Sequence, residues 1–139
     1  MGSKSCVLVA VFLIAAAAIT ASDFAGTWEG TENGLPAIEL TIRDNGGGVT
    51  GSIGFYFQKR GTDGKWHIGE KYTVPLLSPK IQGRVLTFET IHSKEHGSRE
   101  LGPNNKYRVE LVGAKEAPIR ILKNQASGDE PTLTLFRRE

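Results

Sequence analysis

Turn-forming residues cut this chain into short pieces, and that punctuation restricts the fold more than any other feature. Asn33-Gly34, Asn45-Gly46-Gly47-Gly48, Asp63-Gly64, Gln82-Gly83, Gly102-Pro103-Asn104-Asn105, Gly113 and Ser127-Gly128-Asp129 recur along the chain. The pieces between them have the length and composition of strands. Several alternate with a period of two, which turns one face inward and the other to solvent. Ile38, Leu40 and Ile42 alternate with Glu39, Thr41 and Arg43. Val49, Ile53, Phe55 and Phe57 alternate with Thr50, Ser52, Tyr56 and Gln58. Tyr107, Val109 and Leu111 alternate with Arg108 and Glu110, and Leu133 and Leu135 alternate with Thr132 and Thr134. The run 84–91 is anchored by Leu86 and Phe88, and 26–31, 66–74, 77–82 and 118–123 complete a set of about nine strands. No window of these pieces has a helical period.

Consecutive hairpins make an antiparallel meander, and Asn-Gly and Asp-Gly pairs favour the primed turns that match strand twist. A meander of this many strands hides its edges by curling on itself. The expected fold is therefore all-β: an up-and-down antiparallel meander closing into a barrel of about eight strands. A flattened β-sandwich is the alternative. Too many hairpins and the lack of a basic stripe disfavour a five-stranded oligonucleotide-binding barrel. Pro75 and Pro79 interrupt the pattern and place Leu77 on an edge or at a bulge.

The N-terminus reads differently. Lys4 precedes an unbroken apolar run over 6–19, followed by the small residues Thr20, Ala21 and Ser22 and then by Asp23. Positive start, apolar middle and small residues at the end describe a secretory signal. The run has 14 residues, whereas a helix needs about 20 to span a bilayer. Residues 1–21 are expected to be a signal peptide cut after Ala21 or Ser22, with no stable membrane anchor afterwards. Removing residues 1–21 of 139 leaves 118, one domain over 22–139 that buries roughly two-thirds of its unfolded surface. Cys6, the single cysteine, leaves with the signal. Small domains from oxidising compartments are often dense in disulfides. A thiol-free one points to a periplasmic or secreted bacterial protein.

Charge excludes some partners. The chain has 17 basic and 15 acidic residues, and Lys4 leaves with the signal. Near-neutral, mixed-sign surfaces exert no long-range pull on nucleic acid or anionic membrane. Lys59-Arg60, a local basic pair, borders the turn at 61–64 and reads as a solvated hairpin end. The expected state is a monomer.

The first strand carries Gly26-Thr27-Trp28, which resembles the Gly-x-Trp signature of the lipocalin and wider calycin families. The resemblance implies a Trp28 that closes one end of a barrel and an Arg137, from the last strand, that packs across its ring. A guanidinium over an indole face is favourable in its own right and shields the core from water. The chain is also similar to a group of uncharacterised bacterial secreted proteins. The shared pattern runs from Gly26-Thr27-Trp28-Glu29-Gly30 through Leu35-Pro36-Ala37-Ile38 to Phe55-Tyr56-Phe57-Gln58. The Thr-Asp-Tyr type motif of lipocalins is absent.

Several groupings have residue types that could carry chemistry. His92 and His96 stand four apart, with His67 and Glu100 elsewhere, but their order is not His-Glu-x-x-His and no helix supports them, so no metal site is assigned. Glu89 and His92 are a candidate acid/base pair near a barrel mouth. No Gly-x-Ser-x-Gly elbow occurs, and Gly46-Gly47-Gly48 joins two strands rather than leading into a helix as a phosphate loop does. No cofactor is implied. Phe55, Phe57, Phe88 and Tyr107 fall on apolar faces, where with His92 they either line a cavity for a small hydrophobic molecule or simply fill the barrel. Tyr56, Gln58, Trp66 and Tyr72 fall on the opposite face or near hairpin tips. Three functions stay open: a binding protein for a small hydrophobic ligand, an envelope interaction or inhibitor protein with a filled core, and an enzyme using polar groups near His92 and Tyr107.

Overall fold

A computed structural model of the chain describes residue 2 and residues 20–91, 105–122 and 133–139. The expected signal segment up to residue 19, apart from residue 2, lies outside the described residues, as do His92, His96 and Glu100. One turn of helix, α1 (Ala21–Phe24), precedes nine strands: β1 (Gly26–Glu32), β2 (Leu35–Asp44), β3 (Val49–Arg60), β4 (Trp66–Pro75), β5 (Leu77–Gln82), β6 (Val85–Thr90), β7 (Asn105–Glu110), β8 (Glu116–Leu122) and β9 (Leu133–Arg137). The all-β meander expected from the turns and alternation is the observed architecture, curled into a half-barrel.

All nine strands belong to one antiparallel sheet in the order β4-β3-β2-β1-β9-β8-β7-β6-β5. Sequence neighbours pair throughout except at one place. The first and last strands pair with each other, Trp28 opposite Arg137, and the sheet opens between β4 and β5 instead. The chain crosses that opening through Leu76, whose backbone N–H donates to the Gly51 carbonyl at 3.0 Å. Residues 66–82 therefore serve both edges, β4 against β3 and β5 against β6. Counted as one bent strand, they bring the staves to the expected eight.

Local chemistry explains the turns. Asn33 and Gly34 both have positive φ, 54° and 73°, the primed geometry that suits a two-residue hairpin. The Asp63-Gly64 turn departs from the expected primed form: only Gly64 is left-handed, and the connection spans 61–65. There the Asp63 carboxylate accepts the Lys65 N–H at 3.0 Å, an Asx-type closure that stabilises a longer loop. Along β5 the register slips between Leu77 and Lys80, with Ser78 at φ 48° just before Pro79. A proline cannot donate to a ladder, so it belongs on an edge or at a bulge. The other edge, β4, buries only Val74. Its Glu70 and Lys71 put charge where edge-to-edge pairing would otherwise start.

Alternation delivers the core. Leu40, Ile42, Ile53, Leu86, Val109 and Leu135 point inward and are buried. α1 and the connections at 45–48, 83–84 and 111–115 lie at one end of the half-barrel. The connections at 33–34 and 61–65, and the strand ends bordering 92–104 and 123–132, lie at the other. The two ends are built differently, and the difference defines the site.

Candidate functional site: an apolar mouth opposite a sealed end

The sealed end is built on β1. Gly26 has φ 129°, a conformation that L side chains rarely adopt, and it aims Trp28 into the interior. Trp28 is 1% exposed. Its indole N–H donates to the Phe24 carbonyl at 2.8 Å, so α1 is tied down by the residue it covers. The Arg137 guanidinium lies 4.7 Å from the Trp28 ring centre and also donates to the Asp23 carbonyl. Arg137 thus closes the indole face and the helix at once, and among the described residues its buried Nε has no hydrogen-bond partner.

Among the described residues the opposite end is open. Ala37, Ile38, Phe55, Ile119, Ile121 and Leu133 surround a cavity of about 470 Å³. Phe57, Tyr107, Tyr56 and Glu32 complete its wall. A second lobe of about 340 Å³ runs into the slot between β4 and β6–β7, lined by Tyr72, Val74, Thr90, Ile91 and Asn105. Phe55, Phe57 and Tyr107 belong to both lobes. Four lining side chains keep large apolar surface in water: Phe57 at 44% and Ile121 at 37% exposed in the first lobe, and Tyr72 and Ile91, also exposed, in the second.

Three of the five candidate ligand residues therefore meet at this mouth: Phe55, Phe57 and Tyr107. Phe88 is placed differently. It is buried and stacks on Tyr107 at 5.2 Å with rings 18° apart, while Phe55 meets the Tyr107 ring tilted, at 6.1 Å. Phe88 backs the wall rather than lining the mouth. His92 lies outside the described residues. Its proposed partner Glu89 alternates onto the outer face, beside Lys80 and Lys106, so it is not directed into the mouth. Tyr72, expected on the opposite face or near a hairpin tip, lines the second lobe instead. The register shift between Tyr56 and Gln58 places two β4 residues against Phe57 and re-aims the strand there. Alternation alone cannot show such a shift.

A polar point sits in this apolar wall. Thr90 is 2% exposed, the one buried polar residue among those described, and it faces Asn105 across β6–β7. Tyr107 is 3% exposed. Burial pushes its phenol above the ordinary tyrosine value, and hydrogen bonds with Thr90 and Asn105 pull the other way. The neutral phenol is thus favoured by folding. The stability it contributes is fully present below pH about 10 and lost as pH rises through the raised value. In a spectrophotometric titration, the Tyr107 phenol is expected to ionise late, together with alkaline unfolding. That late step should be missing from Tyr107→Phe. A late step that survives the substitution contradicts this assignment.

Other features have structural explanations. A depression of about 570 Å³ lies between the 45–48 turn and β5. The Gly46 and Gly47 N–H groups facing that region are already taken by the Asp44 and Asn45 side chains, at 2.9 and 3.4 Å. Part of its wall, Thr20 and Ala21, belongs to the expected signal segment. On the outer face, Glu29 and Glu39 stand opposite each other, and Arg138 pairs with both. Lys71 bonds Glu39 at 2.7 Å and lies 5.2 Å from the Tyr56 ring centre. That hydrogen bond to Glu39 raises Lys71 above its ordinary value against slight desolvation. Half-exposed pairs of this kind contribute at most about 1 kcal/mol each. Gln58 spans the first hairpin, donating to the Glu32 carbonyl at 2.9 Å. His67 pairs with Asp63 at 3.1 Å on the β3–β4 hairpin, and among the described residues no three His, Cys, Asp or Glu side chains converge as metal ligands would.

Comparison with protein-family models, with curated proteins and with solved structures finds no match. The functional reading therefore rests on the mouth itself.

Proposed function

We propose that this chain is an exported, lipocalin-like binding protein that holds a small hydrophobic molecule in the open mouth of its half-barrel. The observation that supports the reading is the accessible apolar surface of Phe57 and Ile121 inside a concave wall of about 470 Å³. Small-ligand sites occupy about 300–1,000 Å³ and are mostly apolar with a few placed polar groups. Covering the exposed parts of Phe57 and Ile121 gains about 1 kcal/mol each. Core and cavity are divided between the two ends: the sealed end is packed, and the mouth is lined. Signal cleavage after Ala21 keeps Phe24, and with it the carbonyl that Trp28 needs.

Native mass spectrometry of the protein recovered outside the cytoplasm tests the reading. The expected result is a chain beginning at Ser22 or Asp23 that carries a small apolar molecule. Once stripped, the protein is expected to bind N-phenyl-naphthylamine with a rise in dye fluorescence. Phe57→Asp and Ile121→Asp each place a carboxylate on the wall and should weaken dye binding about ten-fold or more. A stripped wild type that leaves the dye dark, or aspartate variants that bind it equally well, would refute the mouth as the site.

A further inference from the structure

We infer that the outer face of β5–β8 binds a linear anionic polysaccharide along a row of basic side chains, at a site separate from the apolar mouth. Register builds the row. Lys80 on β5 stands opposite Thr87 on β6, Thr87 opposite Arg108 on β7, and Arg108 opposite Arg120 on β8. Their strand neighbours Ile81, Leu86, Phe88, Tyr107, Val109 and Ile119 belong to the core or pack against it, so the four point outward together. Lys106 lies on the same face one row on, opposite Glu89. The cations come from three different strands, so no stretch of sequence shows the row.

The pairing of Arg108 with Arg120 is the decisive feature. Like charges directly opposite each other in an antiparallel pair destabilise the sheet. Elsewhere on the outer face the protein neutralises such a pair: Glu29 stands opposite Glu39, and Arg138 bridges them. The arginines have no such bridge. Among the described residues Arg108 has one ion-pair contact, Glu110 at 3.7 Å, and Lys80, Lys106 and Arg120 have none. A carboxylate or sulfate seated between the two guanidiniums removes the repulsion, and each guanidinium presents a planar fork of donors to such a group.

Spacing and curvature favour a polymer. Neighbouring strands lie about 4.8 Å apart, so Lys80 stands about 10 Å from Arg108 along the row. A polysaccharide charged on every second sugar repeats on that scale, and the Thr87 hydroxyl between the cations can bond a sugar hydroxyl. Glu89 and Glu110 border the row and confine an anionic chain to it. The row runs across the strands, around the convex side of the half-barrel. A flexible chain follows that curve, whereas a flat bilayer does not. Among the described residues no aromatic side chain points outward from β5–β8, so nucleic-acid bases find no stacking platform. The chain as a whole stays near neutral, so the row acts at contact range.

Binding of fluorescein-labelled hyaluronate and heparin to the purified protein at low ionic strength tests the inference, and the stronger binder tells carboxylate from sulfate. Neutral dextran should not bind, and rising salt should abolish binding by screening the row. Arg108→Gln with Arg120→Gln should weaken binding about ten-fold or more. Either single substitution should raise the urea midpoint, because it removes a like-charge pair. Lys59→Gln with Lys65→Gln removes the same charge from the β3–β4 hairpin and should leave affinity close to wild type. The inference is overturned if neither polymer binds, or if the hairpin variant loses as much affinity as the row variant. Tighter binding of phosphatidylglycerol vesicles or an oligothymidylate than of both polymers overturns it too. A lowered urea midpoint with unchanged affinity would assign the arginines to the fold instead. Dye binding in the mouth should be the same in the row variants, so either site can fail without the other.

Discussion

Replacing Trp28 by alanine is expected to lower the unfolding free energy by about 4 kcal/mol, the range found for deleting a buried aromatic side chain. Three losses coincide at this residue. The ring volume leaves a cavity among buried neighbours on β2 and β9, where Trp28 pairs with Leu40 and Arg137. The Phe24 carbonyl loses its indole donor, so α1 loses a tether. The Arg137 guanidinium loses the face it covers. Domains are stable by only about 5–15 kcal/mol, so the variant would stand near the limit of folding. Urea unfolding checks this through a lower midpoint at unchanged slope. Trp28→Phe keeps most of the volume and should recover about half of the loss. A Trp28→Ala protein within 1 kcal/mol of the wild type, roughly the cost of an ordinary substitution, would show that the sealed end does not hold the sheet together.

The second large effect is expected at Gly51, where Gly51→Ala should cost about 3 kcal/mol, the upper range for overpacking. A methyl group there would stand 2.0 Å from the Thr41 carbonyl oxygen and 3.2 Å from the Ile42 Cα. Both are backbone atoms of the paired strand and cannot rotate away, so β2 and β3 must part. The carbonyl of Gly51 also receives the Leu76 N–H, the bond that continues the β3–β4 ladder into the link to β5. Gly30 supplies the control. A methyl there meets only the ends of Leu133 and Leu135, at 2.6 and 2.9 Å, and side-chain ends can move. Gly30→Ala should cost about 1–2 kcal/mol. Equal urea midpoints for the two variants would contradict the distinction between backbone and side-chain obstruction.

Much of this architecture was legible in the residues. The alternation of Ile38, Leu40 and Ile42 and of Tyr107 and Val109 marks strands because a strand side chain has no third direction to take. Gly-x-Trp with a late arginine located the Trp28–Arg137 stack, since β9 has the parity to put Arg137 beside the indole. The mouth was legible only in part. Phe55, Phe57 and Tyr107 were named from their apolar faces, but the same pattern included Phe88, which packs behind the wall. It also missed Tyr72, Thr90, Ile119 and Ile121. Thr90 carries no signal in the sequence: a threonine at a strand end is ordinary until Asn105 and Tyr107 are brought against it. Gly51 was equally silent, because a glycine inside a strand pattern does not say which backbone approaches it.

The sequence by itself determined the strands and where the turns fall, and the face of a side chain where no bulge intervenes, because these follow from backbone geometry over a few residues. Only the tertiary structure decided that β1 closes on β9, that the opening falls between β4 and β5, and that one end is sealed while the other is left apolar and accessible. Those outcomes depend on contacts between residues as far apart as Asp23 and Arg137 or Gly51 and Leu76. No local pattern encodes such contacts, because they exist only once the sheet has curled.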